Sequence, residues 1–218
     1  MGILKGLKEM SRAMDSGPSS ESAKGRWLKL EDGQSVKIRV LQELDADSSN
    51  YDSALGQAIM AVEHTNPTDY RHKGLCSADD QGRCYGCEQH RRNPKAGWKG
   101  RTRLYANVLV DDGREEPYVA IMSQGFGAKS VTPTLVEYAN ETGSISNIVW
   151  KLKRIGKGTE TSYNIIPLPN AEMPIPGNVE LFDIEKVAVR DIPYAEQEAF
   201  YTGASEPVAA ATSSSEEW

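Results

Sequence analysis

Cys76, Cys84 and Cys87 are the only three cysteines among the 218 residues of this chain, and they fall in one short window. The run Cys84-Tyr85-Gly86-Cys87 separates two thiols by two residues, so both can grip one tetrahedral ion from a single turn. Thiolates hold Zn²⁺ strongly, and histidine is the usual partner that completes a shell of three cysteines. Such a closed shell leaves no position for water, so one structural zinc is expected rather than a catalytic one. Each of the three histidines is a candidate for the fourth ligand. His64 ends an apolar run far enough upstream to fold back over the ion. His72 could reach it through a local loop before Cys76, and His90 follows Cys87 at a spacing that also permits ligation. An odd number of tightly clustered thiols argues against a disulfide framework and for a reducing setting.

The residues around the thiols carry a second chemistry. Arg71, Lys73, Arg83, Arg91, Arg92, Lys95, Lys99, Arg101 and Arg103 crowd one stretch, against only Asp79, Asp80 and Glu88. The net charge of −6 would by itself argue against nucleic acid, but the charge is segregated: beyond Ala171 acids dominate, with only Lys186 and Arg190 opposing them. Single-stranded nucleic acid is held by a cationic groove that follows phosphates and by aromatic faces on which bases stack. Trp98, Lys99, Arg101, Arg103, Tyr105 and Asn107 supply both. The period of two along a strand puts Arg101, Arg103, Tyr105 and Asn107 on one face, which is expected to be an exposed binding face. Solvation alone would explain a charged face, but not a tyrosine left bare beside two arginines. Lys151 and Lys153 form a similar ladder further on, while Trp150, between Ile148 and Leu152, is expected in the core. Asp111-Asp112 and Glu115-Glu116 flank a turn. No glycine-rich phosphate loop precedes a helix and no nucleophile pairs with a base, so no enzyme is expected.

These residues need a scaffold, and its pattern is mainly β. Residues 1–24 divide into an amphipathic segment, 2–14, with Ile3, Leu4, Leu7 and Met10 at helical spacing, and a Ser/Gly/Pro linker. The first segment could serve self-association. A core is expected over 25–178. Trp27–Leu30 and Val36–Val40 alternate as strands about the Asp32-Gly33 turn, and Ala58–His64 forms another. The polar stretch of about 64–98 is an insertion that a metal would have to organise. Alternation resumes at Arg101, turns at Asp111-Asp112-Gly113, and returns over Pro117–Met122. A helix starts at Thr132-Pro133 and stops near Gly143. A hairpin follows over 148–166. Antiparallel strands, one internal helix and an inserted metal loop fit an OB-type Greek-key barrel. Residues 179–201 are acidic and partly helical. Residues 202–218 have little to bury and are expected to be a disordered acidic tail. Its tip, Glu216-Glu217-Trp218, suits a docking peptide for protein partners. No apolar run approaches the roughly 20 residues of a membrane span, and no secretory h-region opens the chain.

These stretches resemble one family, the single-stranded DNA-binding (helix-destabilising) proteins of T-even-like phages. Gly25-Arg26-Trp27-Leu28-Lys29-Leu30 and Val36-Lys37-Ile38-Arg39-Val40 are similar to its first strand pair, and Val62-Glu63-His64 to the strand end bearing its histidine ligand. Cys76, Cys84 and Cys87 are similar to its zinc cysteines. Leu104-Tyr105-Ala106-Asn107-Val108-Leu109-Val110 is similar to its central strand, and Val149-Trp150-Lys151-Leu152-Lys153 to a late basic strand. The resemblance covers roughly residues 25–166. It implies a zinc-containing OB fold, His64 as the fourth ligand, Tyr105 as an aromatic DNA contact, and a protein that coats single-stranded DNA in phage replication, recombination and repair. It implies the cytoplasm of an infected bacterium as the setting, and replication or recombination proteins as partners of the acidic tail. Shorter Cys76–Cys84 spacing and a shorter C-terminal region depart from the family. The competing expectation is a zinc-stabilised adaptor whose OB barrel binds protein rather than DNA.

Overall fold

The computed structural model describes residues 26–204, so the expectations for 2–14 and for Glu216, Glu217 and Trp218 lie outside the described residues. Seven antiparallel strands dominate: β1 Ser35–Val40, β2 Ile59–Thr65, β3 Lys73–Leu75, β4 Arg101–Asp111, β5 Tyr118–Gly125, β6 Val149–Ile155 and β7 Ser162–Leu168. Among the described residues five α-helices accompany them: α1 Ala78–Gln81, α2 Tyr85–Arg92, α3 Thr132–Thr142, α4 Ile184–Val187 and α5 Tyr194–Thr202. The sheet runs β3-β2-β4-β1-β6-β7, with β5 paired to β4. No backbone pairing joins β5 to β7 among the described residues, so the strands do not close a barrel by hydrogen bonds.

β4 is the axis of the molecule. Its first half pairs with β2, its second half with β1, and nearly its whole length with β5. The even-numbered residues Leu104, Ala106, Val108 and Val110 enter the main core with Val36, Ile38, Met122 and Trp150. Helix α3 closes that core with Leu135, and Tyr138 meets the Trp150 ring edge-on at 4.7 Å. Trp150 is fully buried as expected, and its indole N–H donates to the Ile145 carbonyl at 2.9 Å.

The odd-numbered face of β4 is also buried. The chain after β7 crosses it, placing Met173 against Leu109 and Val149, then Ile184 and Ala188 against Tyr105 and Ile121. From Leu104 to Val110 every residue is at most 1% exposed. The acidic 179–201 segment is thus an amphipathic cover whose acids point outward while its apolar residues complete a second core. Trp27–Leu30 does not form the expected hairpin strand with β1. Leu28 N–H donates to the Ile121 carbonyl and Ile121 N–H to that of Arg26, so this stretch runs beside β5 instead.

Candidate metal centre and basic cleft

Glu63 and His64 are neighbours near the end of β2, and pleating sends their side chains to opposite faces. His64 meets the three thiols. Cys76 follows β3, with its N–H donating to the Val62 carbonyl; Cys84 precedes α2, and Cys87 lies in the first turn of α2. One ligand atom from each of His64, Cys76, Cys84 and Cys87 lies within 4.8 Å of the others. Cys76 and Cys87 sulfurs are 3.5 Å apart, and Cys87 Sγ is 3.3 Å from His64 Nε2. A tetrahedral ion bonded at about 2.3 Å to sulfur needs edges of roughly 3.5–4 Å, so the four groups are close enough to hold a metal. His64 Nδ1 is 2.7 Å from the Trp98 carbonyl, which accepts its proton and leaves Nε2 free to ligate. His72 instead meets Asp69, 3.2 Å away, and neither it nor His90 joins the cluster.

The surroundings of the thiols favour a cation. Burial opposes ionisation of Cys84, but hydrogen bonding to His64 and to the N–H groups of Cys87 and Ser77 brings its pKa down to about 6. Burial and the neighbouring thiols push Cys87 up to about 12. Cys84 is thus the thiol most readily ionised, and a cation bound there would favour ionisation of its neighbours. Gly86 is required by the same packing: a Cβ there would overlap the His64 ring.

Helix α5 clamps this region. Gln197 is 1% exposed; its amide donates to Ser77 Oγ and the Ile192 carbonyl, and its oxygen accepts from Tyr85 N–H. The Tyr201 ring lies parallel to Tyr85 and edge-on to Trp98. Trp98, expected to stack on bases, is therefore half-buried packing beside the metal site. Acidity was the visible signal of residues 179–201, and it gave no hint of this clamp.

Charge collects on the Glu63 side of β2. A cleft of about 250 Å³ is lined by Lys73, Lys99, Arg101 and Arg103, with Tyr70 and Glu63. Arg101 and Arg103 also line an adjoining depression of about 520 Å³ that continues past Ser123 to Lys129 and Tyr163. Tyr70 is 80% exposed, and neither it, Lys129 nor Tyr163 was expected as a contact; Tyr70 and Lys129 come from loops without a periodic signal, and Tyr163 from the returning strand of the expected 148–166 hairpin.

The other expected contacts lie elsewhere. Tyr105 and Asn107 are fully buried and offer no stacking face, because the C-terminal cover fills their side of the sheet. The Tyr105 hydroxyl donates to Glu63 Oε2 at 2.7 Å and accepts from Lys73 at 2.6 Å. Asn107 bonds Gln42 and both backbone groups of Phe182. Arg71 is exposed but forks onto Asp69. Arg91 and Arg92 project from α2 and do not line the cleft. Lys151 and Lys153 are exposed opposite Lys37 and Ser35, at the far end of the same sheet face, with the C-terminal cover between them and Arg103.

No protein-family model, curated protein or solved structure matches this chain. Among the described residues no helix is long and apolar enough to cross a membrane.

Proposed function

We propose that this chain is a non-enzymatic protein that binds and coats single-stranded DNA with little sequence preference, on an OB-type fold held in part by one structural zinc. The observation that carries the reading is the cleft in which Lys73, Lys99, Arg101 and Arg103 converge beside the exposed Tyr70. Cations that converge from β3, β4 and the loop before β4 suit a phosphate path, an exposed ring suits a base, and the adjoining depression extends the track. Three thiols and a histidine are the donor set zinc prefers, and bound zinc would tie β2, whose Glu63 and Thr65 line the cleft, to the start of α2 and the residue after β3. Residues 2–14 and the Glu216-Glu217-Trp218 tip belong to the reading as contacts for a second copy and for replication proteins.

Titrating the protein with a mixed-sequence single strand, its duplex and the matching RNA, at low and moderate salt, tests this. Strong, salt-sensitive binding of the single strand over the duplex is expected, because phosphate contacts release counterions. Absence of binding to any strand at low salt would overturn it and favour the protein-binding adaptor.

A further inference from the structure

Arg101, Arg103 and Lys129 line the depression beyond the cleft, and no carboxylate lines it. Arg103 Nη1 donates to Ser123 Oγ at 3.2 Å, which ties the guanidinium to this end of β5. Lys129 pairs with Glu160 at 3.0 Å, but both side chains are exposed, so water screens the pair and the ammonium stays free to meet a second anion. Gln124 belongs to the same wall. It is 7% exposed, its Oε1 accepts from Ser130 Oγ at 3.2 Å, and its amide N–H₂ meets no acceptor within the described residues. That nitrogen is not sealed from solvent, so a group in the depression can accept from it.

Gly125 and Gly127 complete the lining. Neither has a φ in the left-handed region, and a Cβ at either would meet no atom within 4 Å beyond its chain neighbours. Backbone conformation and packing therefore give no reason for glycine at these positions. Glycine in a strand weakens it, and one use that offsets the cost is close approach of a ligand. Gly125 is the last residue of β5 and stands opposite Arg103, on the face it shares with Ser123. A side chain there would start about 5 Å from the Arg103 Cβ and fill the depression. The N–H groups of Gly127, Ala128 and Lys129 bond no backbone carbonyl within the described residues. Cations and N–H donors without an acid suit an anion rich in oxygen. We infer that the depression seats one internal phosphodiester of the bound strand, with charge from Arg101, Arg103 and Lys129, an N–H donor from Gln124, and space left by the missing side chains of Gly125 and Gly127. The inference rests on the single-strand reading and gives it a defined phosphate subsite.

Gly125→Val in the full chain tests it, because the change adds bulk and removes no charge. Valine suits a strand, so the melting temperature is expected to match or exceed that of the natural chain. Anisotropy with a labelled oligo-dT is expected to show about tenfold weaker binding, the loss of roughly one hydrogen bond to a charged group. The slope of log affinity against log salt is expected to fall by about 0.7, the share of one single-strand phosphate, although every cation is still present. Should that variant fail to fold, Gly127→Val in the exposed loop carries the same test. Unchanged affinity in a folded variant overturns the subsite. Weaker binding with an unchanged salt slope means that the displaced group is uncharged, and overturns the phosphate. Strands with and without a 5′-phosphate are expected to bind alike; an advantage of the phosphorylated end that Gly125→Val abolishes would assign the site to a terminal phosphate and overturn the internal one. Absence of binding to any strand by the natural chain overturns the single-strand reading itself.

Discussion

Two neighbours on β2 divide the chemistry of the site between the faces of one strand: His64 turns to the thiols and Glu63 to the cations. The tolerances on the metal side are narrow. Gly86→Ala would drive a methyl group into the His64 ring, so we expect a loss of about 3 kcal/mol together with metal stoichiometry well below one, checked by thermal melts and elemental analysis. Glu43 presents a different residue-scale case. It is 2% exposed, and although burial opposes its charge, Ser144 and Ser146 and the N–H groups of Ile145 and Ser146 hold its carboxyl below the ordinary range. A lowered folded pKa means stability that is fully present above the ordinary glutamate range and lost as pH falls through the folded value. Glu43→Gln should cost about 1–3 kcal/mol at neutral pH and flatten the fall in stability during acid titration, measured by denaturant midpoints at each pH. A variant that loses stability with acid as steeply as the natural chain would show that this carboxylate is not responsible.

Helix α5 ties the C-terminal part of the chain to the metal region, through contacts that bridge more than a hundred residues. Gln197 joins Ser77 and Tyr85, which flank the first two cysteines. Gln197→Ala leaves buried donors and acceptors unpaired, a loss of about 1–3 kcal/mol, and we expect faster extraction of the metal by a chelator. An unchanged extraction rate with a lowered melting temperature would confine α5 to the fold alone. β1 and much of β6 were legible because they alternate apolar and polar residues, and a two-residue period needs no distant information, whereas β2 showed only as the short apolar run Ile59–Val62. The face of β4 that carries Tyr105 and Asn107 was misjudged for a physical reason. Alternation reports that side chains point to opposite sides, but whether the second side meets water depends on what crosses it, and here Phe182, Ile184 and Ala188 do.

For the molecule as a whole, a net charge of −6 coexists with a cleft walled by four cations, so the bulk charge and the local field have opposite signs. Salt dependence separates the two. Arg101→Ala should reduce the slope of log affinity for single-stranded DNA against log salt by about one, whereas Arg92→Ala, outside the cleft, should change it far less; titrations across a salt series measure both. Equal effects would mean that diffuse charge and not the cleft binds the strand. The sequence alone determined the thiol set, because Cys84 and Cys87 share one turn and their spacing is local, and it determined the strand periods for the same reason. It left His64, His72 and His90 open as ligands on spacing, since any of three loops could bring a ring to the thiols. The resemblance pointed to His64, and the tertiary structure sets it among the thiols, through the Trp98 carbonyl that orients its ring and the glycine that admits it. Only the tertiary structure sorted the cations into those that meet at Glu63 and those that do not. Convergence of that kind depends on how β2, β4 and the C-terminal cover pack together, and those elements lie too far apart along the chain for any local pattern to encode it.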